Sequence, residues 1–252
     1  MLVLKTLLII GLVLFLAARI LPRFGTLLGR RARKPFRQAR WMWSWFAGTE
    51  AESLQAESEY GRECAREFAA QFPGPVRPGM QDLAASVGNR LAEAVKDPRR
   101  AFQFNVIAGA HANAYALPGG FVFVTLPLLD LCECDRDELA FFLGHEIGHV
   151  LHGHARQQLT ASVFLSAVTA RLPKAGPMLR QVLSKGYSRE LELDADREAV
   201  RLSRVAGFEA NAGIRALRRL AQVSEESSFG EYFSTHPPFA DRIRELEQMV
   251  RD

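Results

Sequence analysis

The five residues His145-Glu146-Ile147-Gly148-His149 constrain this chain more than any others. They fit H-E-x-x-H, which on a helix sets up a zinc site with its own general base. Residues four apart on a helix lie one turn above each other, so both imidazoles point the same way and can grip one ion. Glu146 projects beside that ion, where it can take a proton from a water held there. The flanks suit a buried helix: Phe142, Leu143, Ile147, Val150 and Leu151 are apolar, and apart from Glu146 no charge or proline interrupts residues 139–151. Five residues can recur by chance, so the chain must also supply a third ligand, a strand that holds substrate and a group that stabilises the transition state.

The class with a third histidine at fixed spacing is excluded. The pattern H-E-x-x-H-x-x-G-x-x-H would need glycine where His152 stands and histidine where Ala155 stands. The alternative is a glutamate from a later helix, followed one turn on by an aspartate that accepts the N–H of a ligand histidine. A helix expected from Ser188 to Ala206 offers two registers, Glu190 with Asp194 and Glu192 with Asp196. Spacing alone leaves both open. His152 and His154 are read as residues behind the ligands or at the surface, since a residue seven after His145 stands a further turn from the ion.

Elsewhere the charge pattern speaks. The net charge of +4 is local: residues 19–40 hold seven arginines and one lysine without an acid. That argues against a nucleic-acid footprint on the folded domain and for a basic segment beside a membrane. Before it, Leu2 to Leu21 is apolar with Lys5 and Arg19 near its ends, and about twenty residues at about 1.5 Å each can cross the hydrocarbon core. The expectation is an uncleaved anchor rather than a signal peptide over residues 1–22, with a basic, Trp-rich segment at 23–48 and a catalytic domain at 49–252. Trp41, Trp43 and Trp45 in that segment suit an interfacial belt or an aromatic cluster against the domain. Arginines after the span place the domain on the cytoplasmic side. Cys64, Cys132 and Cys134 are too few and too oddly spaced for a disulfide framework and are read as free thiols.

Periodicity predicts helices over 49–72 and 80–95, the second stopping before Asp97-Pro98. Alternation then predicts strands at 102–107, 113–117 and 121–125 around the Pro118-Gly119-Gly120 turn, read as a small antiparallel sheet. Asp135 with Glu138 predicts a capping box on the motif helix. Residues 160–183, broken by Pro173 and Pro177, read as a helix hairpin or lid, and two further helices are expected at 210–223 and 240–251.

Four ordered stretches, NAYALPGGFVFV, HEIGHVLHGH, SRELELDAD and STHPPFADR, closely resemble the membrane-associated gluzincin peptidases that include HtpX, the CAAX prenyl endopeptidases and the Oma-type and BepA-type proteases. The resemblance covers residues 52–249. It implies Glu192 as third ligand with Asp196 as its companion against a ligand histidine. It further implies that His236 and Arg242 lie near the scissile carbonyl as oxyanion stabilisers, the electrostatic part such a reaction needs. Asn113, Ala114, Tyr115, Gly119 and Gly120 are implied to hold an extended peptide by strand addition.

The expectation is therefore an α+β, mainly helical gluzincin-type domain with a small antiparallel sheet, preceded by one transmembrane helix. It would bind one zinc ion per chain through His145, His149 and Glu192 and hydrolyse extended polypeptides, with Glu146 as base. A proteolytically silent or latent membrane-anchored scaffold keeping the zinc fold is the alternative. One span instead of several makes prenyl-peptide processing a poor guess.

Overall fold

Residues 49–158, 186–223, 235–236 and 239–251 are described by the computed structural model. The chain divides into two compact units, Met1–Tyr60 and Gly61–Asp252, and every expected site residue belongs to the second. In order come α1 (Glu50–Ala69), α2 (Met80–Val95), β1 (Gln103–Ile107), β2 (Ala114–Leu117), β3 (Phe121–Thr125), α3 (Leu126–Leu131), α4 (Arg136–Leu151), α5 (Arg189–Val205), α6 (Ala212–Val223) and α7 (Phe239–Arg251). The expected anchor, the Trp-rich segment and the hairpin or lid lie outside the described residues. Among those described, no helix is long and apolar enough to cross a membrane.

The buried face of α2 recurs at helical spacing, through Ala84, Val87, Gly88, Leu91 and Ala94. Gly88 is needed there, because a Cβ would meet the Phe104 ring at 2.3 Å. The helix stops where Lys96 turns left-handed, just before Asp97-Pro98.

The sheet is mixed rather than antiparallel, which corrects the expectation. Its order is β1-β3-β2, with β1 parallel to β3 (Phe104 opposite Val122) and β2 antiparallel to it (Tyr115 opposite Phe123). Alternation determines which side chains share a face, not which strand becomes the neighbour. Here the chain runs out to the far edge as β2, then returns through Gly119 and Gly120, at φ 80 and 81, to form the middle strand. The outer edge of β1 is closed by a side chain: Gln81 Nε2 donates to Phe104 O at 2.8 Å, and Val106 N donates to Gln81 Oε1 at 2.9 Å. An amide thus substitutes for another strand.

Thr125 ends β3 and caps the short helix α3, its hydroxyl accepting from Leu128 N at 3.4 Å and from Asn113 N at 2.9 Å. Asp135 caps α4 by accepting from Asp137 N and Glu138 N. The reciprocal half of the expected box is not made, because Asp135 N donates to Cys132 O at 2.8 Å instead. Glu138 is buried and its carboxylate accepts from Arg219.

Every residue of α4 from Glu138 to Val150 is buried. The helix is therefore the central rod, packed by α2, α5, α6 and the sheet. Its approach to α5 is unusually close. A Cβ on Gly144 would lie 3.1 Å from Ala199 Cα, and one on Gly148 would lie 3.0 Å from Ala195 Cα. Two glycines one turn apart face two alanines one turn apart, so the backbones nearly touch. The short polar side chains beside this contact can then meet across it.

Candidate active site

His145, Glu146 and His149 lie on α4, Glu192 and Asp196 on α5, His236 in the segment before α7, and Arg242 on α7. The structure brings all seven together, each no more than 2% exposed. His145, His149, Glu192 and His236 offer nitrogen and oxygen atoms within 4.8 Å of one another.

The two α4 histidines face each other through Nε2 at 3.0 Å. His145 Nδ1 lies 2.8 Å from Asp196 Oδ1, which fixes the tautomer: Nδ1–H donates to the carboxylate and Nε2 carries a lone pair. Glu192 completes the triangle, with Oε2 at 3.6 Å from His145 Nε2 and Oε1 at 3.4 Å from His149 Nε2. Ligands around a tetrahedral ion with Zn–N of about 2.0–2.1 Å stand about 3.3 Å apart. Converging lone pairs and a carboxylate at that spacing, all away from water, fit a zinc ion well.

Arg242 is fully buried and engaged at three places. Nε and Nη2 donate to the two oxygens of Asp196, each at 2.7 Å. Nη1 lies 2.9 Å from Glu192 Oε2 and 3.3 Å from His236 O. The guanidinium thus points at the carboxylates behind the ligands. His236 instead spans the base and the third ligand, with Nε2 at 3.7 Å from Glu146 Oε1 and Nδ1 at 3.1 Å from Glu192 Oε1.

These contacts set the charges. Burial raises the Glu146 carboxyl above the usual carboxylate range, against the pull of His236 and His145. Burial would do the same to Glu192, but His236, Arg242 and His145 outweigh it and hold that carboxyl ionised. His236 shows the mirror image: burial disfavours its proton, while Glu192 and Glu146 retain it and raise its pKa. Burial pushes His149 well below the ordinary imidazole value, so it is neutral and able to ligate.

Of the two registers that spacing left open, Glu192 and Asp196 enter the cluster. Glu190 is exposed, and Asp194 pairs with Arg197 at 2.9 Å. A signal for this choice was present: Ala195, Ala199 and Leu202 continue the stripe of Glu192 and Asp196, not that of Glu190 and Asp194. His152 is exposed, whereas His154 is buried with its Nδ1 at 2.9 Å from His149 Nδ1. Tyr187 had no sequence signal. Its ring stacks on His149 at 4.0 Å and 19°, and its N–H donates to Thr235 O.

The expected substrate strand also adjoins the site. β2 is a sheet edge, and Ala116 packs with Val150 of α4 and with Ala155. Asn113 is buried before it, held by Thr125.

Comparison with known proteins adds to this geometry. The model of peptidase family M48 matches residues 81–250. The mitochondrial metalloendopeptidase OMA1 of Schizosaccharomyces pombe is 27% identical over 214 residues, 79% of this chain and 62% of that protein. The mitochondrial metalloendopeptidase OMA1 of Danio rerio is 29% identical over 58% of this chain and 35% of its own length. A putative beta-barrel assembly-enhancing protease of Vibrio cholerae is 28% identical over 79% of this chain and 45% of its own length. The chain thus spans between about a third and two thirds of these relatives.

Proposed function

The chain belongs to peptidase family M48, and on that footing we propose that it is a zinc-dependent metalloendopeptidase acting on extended polypeptides. One observation carries the proposal. Two imidazoles and an ionised carboxylate converge beside a buried glutamate whose pKa is raised.

His145, His149 and Glu192 hold the metal, which when bound supplies a Lewis acid that polarises a carbonyl and acidifies water. Glu146 takes the proton of the attacking water and passes it to the departing amine. Its raised pKa suits both halves of that exchange. His236 keeps its proton between Glu146 and Glu192 and donates to the oxyanion as charge develops there. Arg242 acts from behind, keeping Glu192 and Asp196 ionised and aimed. β2 receives the peptide as an added strand, a role supported by its edge position beside α4 and by the Gln81 side chain already closing the other edge. Purified protein should hydrolyse casein, lose that activity to a chelator and regain it with zinc. Hydrolysis indifferent to chelation would refute the proposal.

A second reading draws on the same cluster. His236 stands among the four residues whose ligand atoms lie within 4.8 Å, so it could complete a cage and hold the enzyme latent. Replacement by alanine separates the two: turnover falls if His236 is the donor and rises if it closes the cage. A silent scaffold is not favoured, because Glu146 is intact and in place.

The apolar run at residues 2–21 and the arginines after it support a single-pass anchor over residues 1–22, with the domain on the cytoplasmic side. Substrates would then be membrane or membrane-proximal proteins. A reporter fused to the C-terminus reads out the side, and a signal from the opposite compartment would reverse it.

A further inference from the structure

The two histidines of α4 are supported in different ways, and the difference gives Tyr187 a role. His145 donates through Nδ1 to Asp196 at 2.8 Å, and Asp196 is forked by Arg242 at 2.7 Å on each oxygen. A charge-assisted bond to a carboxylate gripped in this way fixes the ring in place and in tautomer. Among the described residues, no carboxylate meets His149 Nδ1 in this way. Its Nδ1 lies 2.9 Å from Nδ1 of His154, an imidazole and not a carboxylate. A single contact between two imidazoles fixes one ring atom while leaving the plane free to swing about it.

The plane is held by something else. The Tyr187 ring lies over His149 with centroids 4.0 Å apart and planes 19° apart. No other ring pair around the site, among the described residues, is so close and so nearly parallel: His145 meets His236 at 74° and His149 meets His154 at 66°. Tyr187 is itself anchored on both sides in sequence. Its N–H donates to Thr235 O at 3.2 Å, next to His236, and Ser188 beyond it is the N-cap of the helix that carries Glu192. We infer that Tyr187 is a positioning residue: its ring clamps the His149 imidazole in the plane that ligation requires, doing by stacking what Asp196 does for His145 by charge. The inference rests on the reading of His149 as a zinc ligand.

This assigns the function to the flat face of Tyr187 and not to its hydroxyl. Removing the face should loosen the metal, and keeping the face without the hydroxyl should not. The test compares zinc-loaded wild type with Tyr187→Phe, Tyr187→Leu and Tyr187→Ala, following zinc release to a chromophoric chelator. The visible spectrum of the cobalt-substituted forms gives a second readout. Leucine keeps most of the volume without a flat face, so it remains informative if the alanine variant does not fold. The expectation is release at least about tenfold faster for Leu and Ala, the range that loss of a ligand's outer support produces, with a shifted cobalt spectrum. Tyr187→Phe should stay within about twofold of wild type in release, with an unshifted spectrum. Wild-type release and spectra in the leucine variant would overturn the inference, as would a phenylalanine variant as leaky as leucine, which would move the role to the hydroxyl. A wild type that takes up no zinc would sink the reading beneath it instead, so the two failures are distinct.

Discussion

Arg242 on the last helix grips Asp196 on α5 with two parallel hydrogen bonds, Nε to Oδ2 and Nη2 to Oδ1, both 2.7 Å long and fully buried. The fork connects the C-terminus of the chain to the metal site, because Asp196 in turn orients His145. It also explains how three carboxylates tolerate burial together: the guanidinium offsets Asp196 and Glu192, and His236 serves Glu192 and Glu146.

Breaking this pair should therefore act on fold and metal together. Arg242→Met should cost about 3–5 kcal/mol, the usual penalty for leaving a buried partner charged and alone. Arg242→Lys keeps the charge but cannot make the fork, and it should weaken zinc binding about 10–100-fold. Denaturant unfolding and zinc competition measure the two effects. A lysine variant with normal zinc affinity and reduced turnover would instead point to direct contact with the oxyanion.

The close approach of α4 and α5 makes a second prediction. Gly148→Ala puts a methyl 3.0 Å from both Cα and O of Ala195, and backbone can yield only by separating the helices. The expected cost is about 1–3 kcal/mol, or about 2–4 °C of melting temperature per kcal/mol in a chain of this size. Zinc affinity should fall as well, because Glu192 is displaced from His149. A variant with unchanged melting temperature and zinc affinity would contradict the packing argument.

The choice between the two carboxylate registers is open to direct metal analysis. Glu192→Ala should lose zinc, while Glu190→Ala, which removes an exposed carboxylate, should retain it. The reverse outcome would move the third ligand by one register.

Thr125 tests the support of the proposed substrate strand. Its hydroxyl accepts from Asn113 N and donates to Asn113 O at 3.1 Å, all buried. Thr125→Val keeps the shape and strands the Asn113 N–H, so it should cost about 1–3 kcal/mol and raise KM more than it lowers kcat. Unchanged unfolding would show that the strand is held elsewhere.

How much of this was legible in the chain depends on how local each cause is. The motif helix, its Asp135 cap and the Met80–Val95 helix follow from periodicity and end signals that lie within the elements themselves. The parallel pairing of β1 with β3 does not, because period-two alternation carries no information about which strand lies alongside. Helix α3, at only six residues, is too short to show a helical period, and its start depends on the Thr125 side chain accepting from Leu128 N. In the site, His145 and His149 are set by spacing on one helix, but the meeting of Glu192 with them depends on Gly144 and Gly148 facing Ala195 and Ala199. Tyr187 and the forked Arg242 are tertiary facts, each made by elements distant in sequence.

The central claim is that Glu146, beside the metal ligands, takes a proton from the attacking water. Casein hydrolysis by zinc-loaded wild type and by zinc-loaded Glu146→Gln, matched in zinc content and melting temperature, tests it most directly. The account predicts that the wild type cleaves casein and that the glutamine variant loses at least about 100-fold in kcat, as removal of a general base does. Equal rates in the two proteins would contradict it.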